Sequence, residues 1–183
     1  MNDRTMDRGA VLWAAGGLAF VAFGFEELAR MDDALADESI ANACLLTPEQ
    51  EEGPYYVDLE RIRNNIKEAK TGLRLQLKVV CVSSKTCKPI ANAAVDIWHC
   101  DAEGHYSGFS QEDTEGQTFL RGVQLTNDRG VALFETIYPG WYTGRATHIH
   151  MKVHIGGRKA GSTYSGGHVS HTGQLFFPDA ITD

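Results

Sequence analysis

In the stretch THIHMKVHI, residues 147–155, polar and apolar side chains alternate without a break. Successive side chains of an extended strand point to opposite faces. The pattern therefore puts His148, His150, Lys152 and His154 on one face and Ile149, Met151, Val153 and Ile155 on the other. The apolar face anchors the strand, and the histidine face is expected to be presented. LRLQLKVVCV repeats the arrangement, with Leu73, Leu75, Leu77 and Val79 opposite Arg74, Gln76 and Lys78, as a half-buried antiparallel strand would.

Further strand candidates are AAVDIWH (93–99), GVALFETI (130–137) and GQLFF (173–177). Asn127-Asp128-Arg129-Gly130 and Tyr138-Pro139-Gly140 supply turn chemistry around the second of these. Short, closely spaced strands predict an all-β antiparallel β-sandwich or barrel. No helix is demanded after residue 70, and DLERIRNNIKEAK is expected to carry one short helix. The chain has 183 residues and no internal repeat, which fits one ordinary domain. That domain is expected over residues 41–183, preceded by a signal- or anchor-like segment and linker over 1–40.

The 17 Lys and Arg against 24 Asp and Glu leave a net charge of -7. No basic block tracks a phosphate backbone, so nucleic acid is excluded as a partner. Residues 9–25 form an uncharged apolar run behind Arg4 and Arg8, short for a spanning helix and suited to an export signal or a membrane anchor. A buried helix is the other reading. Cys44, Cys81, Cys87 and Cys100 lack C-x-x-C spacing, which argues against a zinc knuckle or a thioredoxin-like pair. They are buried thiols or disulfides. Export would favour disulfides, with Cys81 and Cys87 closing a short loop and Cys44 and Cys100 forming the complementary pair.

Two imidazoles at i and i+2 on a strand can share one metal, and imidazole suits zinc, copper or iron. A solvent-facing polar row would alternate in the same way. The context PGWYTGRATHIH adds Tyr142 six residues before His148 and Arg145 three before it, across a Gly-bearing loop that can fold back. A phenolate is a hard anionic ligand, so tyrosine beside histidine favours ferric iron.

The segments CLLTPEQEEGPYY, VDIWHCDAEGHYSGF, TFLRGVQLT, FETIYPGWYTGRATHIH and GQLFF, in this order, resemble the intradiol ring-cleavage dioxygenases, and more narrowly their exported single-domain branch. The resemblance spans about residues 44–177. It implies a β-sandwich with one non-haem Fe(III) per chain, held by Tyr106, Tyr142, His148 and His150. Tyr106 follows the D-A-x-G-x-Y turn at Asp101. The resemblance further implies an active-site arginine at Arg145, a glutamine at Gln174, and a tyrosinate, Tyr142, that accepts a phenolic proton. A catechol-type ring and O2 are the implied substrates and a muconate-type diacid the product. Tyr55 and Tyr56 are expected to pack near the site. His99, His154, His168 and His171 are expected to be surface or hydrogen-bonded residues, and His105 to support Tyr106. The chain ends soon after the late strand, where family members generally continue, so either a truncated sequence or an unusually open pocket is expected, and the substrate wall is not fixed by the resemblance. It lacks the helical dimerisation domain of the catechol-specific branch, which leaves the oligomeric state undetermined. The rival from another class is a non-catalytic exported β-sandwich module that binds a carbohydrate or a protein; zinc or copper on the same histidines is a third reading.

Overall fold

The computed structural model of the chain describes residues 10–12, 18–22 and 47–182. Ten strands follow in order: β1 (Ala10–Leu12), β2 (Leu18–Ala22), β3 (Arg74–Cys81), β4 (Ala94–Trp98), β5 (Arg121–Leu125), β6 (Val131–Ile137), β7 (His148–Ile155), β8 (Arg158–Ala160), β9 (Thr163–Ser165) and β10 (His168–Phe176). One sheet has the order β1-β2-β3-β6, the second β10-β7-β4-β5, and β8 pairs with β9 as a hairpin. All these pairings are antiparallel. The expected β-sandwich is the architecture found.

The alternation read from the sequence builds the core. Leu77 and Val79 of β3 and Ala132 and Phe134 of β6 face Val95 and Ile97 of β4, Ile149, Met151 and Val153 of β7, and Leu175 of β10. Apolar area removed from water between two sheets is the main favourable term for such a layer. Each expected strand is present. The apolar run at 9–25 contributes β1 and β2, and β2 pairs with β3 from Leu18↔Cys81 to Ala22↔Leu77. Among the described residues no helix is long and apolar enough to cross a membrane.

The expected short helix in DLERIRNNIKEAK is absent. Two sheet edges use its backbone groups instead: Val123 N–H donates to Arg61 O, Arg63 N–H to Val123 O, Glu135 N–H to Asn64 O and Ile66 N–H to Glu135 O. The segment seals the gap between β5 and β6 and drives Ile66 into the core at 0% exposure. It also explains why β5 was not foreseen. The strand RGVQL carries a glycine at its second position, and a Cβ on Gly122 would lie 2.6 Å from Ile66 Cγ2. Close packing, not β-propensity, selects that residue. The β8–β9 hairpin is equally short and polar.

The expected cysteine pairing is overturned. Cys81 and Cys100 are free and buried, whereas Cys87 is disulfide-bonded. Cys81 belongs to the core cluster, while Cys87 occupies the left-handed region (φ 57°) in the turn that its N–H closes onto Ser83 O. Cys100 Sγ donates to Gly140 O at 3.4 Å. Cys44 lies outside the described residues.

Truncating a fully buried Ile typically costs about 2–5 kcal/mol. Ile66→Ala is expected to lower stability in urea unfolding by an amount in that range. A loss under about 1 kcal/mol would show that residues 61–66 are not part of the core.

Candidate metal centre

The site grows out of one row of the second sheet. Arg121 of β5 is opposite Trp98 of β4, Trp98 is opposite His150 of β7, and His150 is opposite Gln174 of β10. These four side chains share the outer face of the sheet. Trp98 and His150 stack, with ring centroids 5.0 Å apart and planes 6° from parallel. The face is not presented to solvent as expected, for His148 and His150 are each 1% exposed and Lys152 is buried. Residues 50–56 form a strap across it. Gln50 N–H donates to Thr172 O, Glu52 pairs with Lys152, and Tyr56 lies under the Lys152 ammonium, 3.6 Å from its ring centroid. A Cβ on Gly53 (φ +76°) would come within 3.1 Å of His150 Cε1, so the strap backbone rests directly on the imidazole. Only glycine adopts that conformation freely.

The two tyrosines arrive on loops docked backbone to backbone. Asp101 Oδ1 accepts from Glu103 N–H and His105 N–H, shaping the turn that delivers Tyr106. Gly140 N–H donates to Asp101 O at 2.9 Å, and a Cβ on Gly140 would lie 2.5 Å from Ala102 O. This approach brings the Tyr106 and Tyr142 rings to 5.7 Å and places Tyr106 6.2 Å from the His150 ring.

Four donor atoms therefore converge. The Tyr142 hydroxyl is 3.4 Å from His148 Nε2, which is 2.9 Å from His150 Nε2. Backbone carbonyls only accept, so the 2.6 Å contact with Ala146 O makes His148 Nδ1 the donor and leaves its Nε2 lone pair facing the site. The Tyr106 hydroxyl is buried with no hydrogen-bond partner. Burial lowers the pKa of His148, and burial with the neighbouring His148 pushes His150 down to about 3, so both imidazoles are neutral. Burial, then the Tyr142 phenol, pushes the Tyr106 pKa up.

Two nitrogens at right angles on one ion, each about 2.1 Å from it, would stand about 3 Å apart. The imidazole spacing fits this, and the orphaned Tyr106 oxygen is the kind of buried acceptor a cation satisfies. The donor set thus fits a hard trivalent ion such as iron(III). Asp101, Glu103 and His105 also lie close together. Lys70 and two backbone N–H groups already occupy the Asp101 carboxylate, however.

Arg145 and Gln174 are brought together as well. An Arg145 Nη2–H donates to Gln174 Oε1, and Gln174 Nε2–H donates to Glu51 O at 2.8 Å. His105 does not support Tyr106: its ring is half exposed and 3.9 Å from Asp101, because the turn at Asp101 points successive side chains apart. Tyr55 takes that place, stacked on Tyr106 at 4.3 Å and 3°. Tyr56 packs on Trp98. Of the other histidines, His99 is buried between Cys100 O and Thr136 Oγ1, His154 packs edge-on against Tyr164, His168 is exposed and His171 is buried. Sequence reasoning missed Trp98 and Arg121. The period of β4, placed beside β7, was the one signal for Trp98.

A sandwich with two tyrosines and two histidines clustered on its buried outer face defines the class as a candidate metal-binding β-protein. Residues 51–164 match the family model described as Dioxygenase. Catechol 1,2-dioxygenase 1 of Acinetobacter lwoffii is 28% identical over 148 residues, 78% of this chain and 45% of that one. The solved intradiol ring-cleavage dioxygenase from Tetranychus urticae is similar at 40% identity and TM-score 0.63, covering 73% of this chain and 66% of that one. The dioxygenase domain of a dioxygenase carbohydrate-binding protein fusion from Streptomyces sp. SirexAA-E is similar at 30% and TM-score 0.54, covering 74% and 82%. The chain belongs to the intradiol dioxygenase family. It spans between 27% and 46% of the length of the curated relatives it matches.

Asp96, one row from Trp98, accepts from the Tyr56 hydroxyl at 3.2 Å, and burial lifts its carboxyl to about 7 against the lowering effect of that bond. The folded chain keeps a proton there that an unfolded Asp gives up near pH ~4. Stability therefore falls as pH rises from about 4 to about 7. His99 and His150, pushed down by burial to about 4 and about 3, act in the opposite sense. Comparing the metal-free parent with Asp96→Asn removes the histidine contribution. The variant is expected to gain on the parent steadily across that window and then level off. A pH-independent difference would remove the proton from Asp96.

Proposed function

We propose that this chain is a non-haem ferric dioxygenase that cleaves catechol-type rings between the two hydroxyl-bearing carbons. Catechol and O2 would yield a muconate-type diacid, with both oxygen atoms retained in the product. The single observation that carries the reading is the convergence of Tyr106, Tyr142, His148 and His150 in a chain of this family. Iron(III) held by these four residues would supply an electron-withdrawing centre that makes a bound catecholate reactive toward O2.

The remaining roles follow from the chain's own residues. Tyr142 is half-buried on an irregular loop, so its oxygen can leave the donor cluster and take a phenolic proton from incoming catechol. His148 and His150 are uncharged through burial, and the Nε2 lone pair of His148 accepts from His150 Nε2–H. Arg145 has no lone pair to offer a metal. Its guanidinium, held by Gln174, stabilises the negative charge that builds on the ring as it reacts. The strap from Glu51 to Tyr56 excludes water from the imidazole side of the pocket, which strengthens that interaction.

The same proposal extends to export, supported by the disulfide at Cys87. A fully reduced Cys87 in protein recovered from its native compartment would overturn that part.

After reconstitution with ferric salt, the protein is expected to bind one iron per chain and show a red-brown tyrosinate charge-transfer band that shifts on adding catechol. A colourless, iron-free product would defeat the proposal and favour a binding module. Arg145→Ala is expected to keep iron, colour and the catechol-induced shift while losing about 100- to 1,000-fold in turnover. His148→Ala is expected to lose the iron. Parent-like turnover by Arg145→Ala would remove that residue from the catalytic set.

A further inference from the structure

Arg121 is 3% exposed, yet among the described residues its hydrogen-bond partners are all neutral oxygens. Nε–H donates to Ser107 Oγ at 2.9 Å, Nη2–H to Ser107 O at 2.7 Å and Nη1–H to Tyr55 O at 2.8 Å. A buried cation without a bonded carboxylate is costly, only partly offset by the charge of nearby Asp96, and its three bonds converge on one neighbourhood. Ser107 directly follows Tyr106, and Tyr55 is the ring stacked on Tyr106. One rigid guanidinium therefore holds the backbone just after the tyrosine and the backbone of the side chain packed against it.

The neighbouring contacts close the frame. Ser107 Oγ–H donates to Phe119 O at 2.7 Å, Thr114 Oγ1–H donates to Tyr106 O at 2.6 Å, and the Tyr55 hydroxyl donates to Glu112 at 3.3 Å. Among the described residues Tyr142 is held more lightly: its carbonyl accepts from Arg145 N–H at 3.1 Å, its hydroxyl lies 3.4 Å from His148 Nε2, and the residues on either side, Trp141 and Thr143, are exposed.

We infer that Arg121 is a positioning residue that fixes Tyr106 as the immobile tyrosine of the site, by clamping Ser107 and Tyr55 at once. The inference rests on the four-residue site proposed above. Lysine cannot replace the clamp, because an ammonium offers a point charge rather than three donors in a planar fork. With Tyr106 free to reorient, the iron would lose a fixed phenolate while the substrate's own binding groups stayed in place.

The test uses full-length parent, Arg121→Lys, Arg121→Gln and Ser107→Ala, each reconstituted with ferric salt and checked for folding by circular dichroism. In the parent, failure to take up iron defeats the site itself and is thereby distinguished from failure of the Arg121 role. Given an iron-binding parent, both Arg121 variants are expected to bind iron about 10- to 100-fold more weakly. They should also show a displaced charge-transfer band and a kcat loss that exceeds any change in KM for catechol. Ser107→Ala, which leaves the guanidinium and two of its bonds, is expected to displace the band in the same direction by less. It decides the matter if the Arg121 variants do not fold. Variants of lowered thermal stability whose iron affinity, band energy and kcat match the parent would show that Arg121 is only a structural residue, overturning the inference. So would a Ser107→Ala band identical to the parent's.

Discussion

Everything at this site depends on a polar sheet face that is not open to water. A β-sandwich ordinarily buries one face of each sheet and wets the other. Here the strap of residues 50–56 lies over the outer face of β10-β7-β4-β5, so His148, His150, Lys152, Asp96 and Arg121 are all buried. Each such group must then find a partner or remain a costly orphan. Most are matched by strap atoms: Lys152 by Glu52, Asp96 by Tyr56, Arg121 and Gln174 by backbone carbonyls of Tyr55 and Glu51. Among the described residues the unpartnered buried side-chain atoms are Trp98 Nε1, the Tyr106 hydroxyl, His150 Nδ1 and His171 Nε2. The Tyr106 hydroxyl is also one of the four candidate ligand atoms.

The same cover sets the electrostatics. Removing water makes neutral imidazole the stable form and phenol harder to ionise. A cation entering such a pocket would meet two neutral imidazoles and two hydroxyls whose protons it would have to displace. Metal uptake at the proposed site would therefore release protons and be favoured at higher pH.

The sandwich and the shared face of His148 and His150 were legible in the sequence because alternation is a strict local rule, whereas Tyr106 was named only through the family resemblance. Alternation over residues 147–155 fixes which side chains share a face, and the β4–β7 register then brings Trp98 to His150. Less legible was whatever depends on contacts distant in sequence. Residues 58–70 read as helical by composition, but the open edges of β5 and β6 claimed their hydrogen bonds. The histidine face read as exposed because nothing local announces a strap arriving from about a hundred residues upstream. His105 adjoins Tyr106 in the chain and turns away from it in space, since the Asp101 turn rather than adjacency sets its direction. Cysteine pairing was read from spacing, whereas Cys81 is a free thiol enclosed in the core between the sheets.

The bond between Gln174 and the Glu51 carbonyl joins positions 123 residues apart. During synthesis the strap emerges first, the four candidate ligands follow, and β10 is made late. A nascent chain can thus possess every metal donor while the guanidinium of Arg145 still lacks its holder. Were the proposed metal to bind, its capture and the setting of Arg145 would be separable events, the second needing β10 beside β7. Under the proposed function, a copy that kept the four candidate ligands but lost the Gln174 contact would hold colour without full activity, so pigment alone would overstate the active fraction.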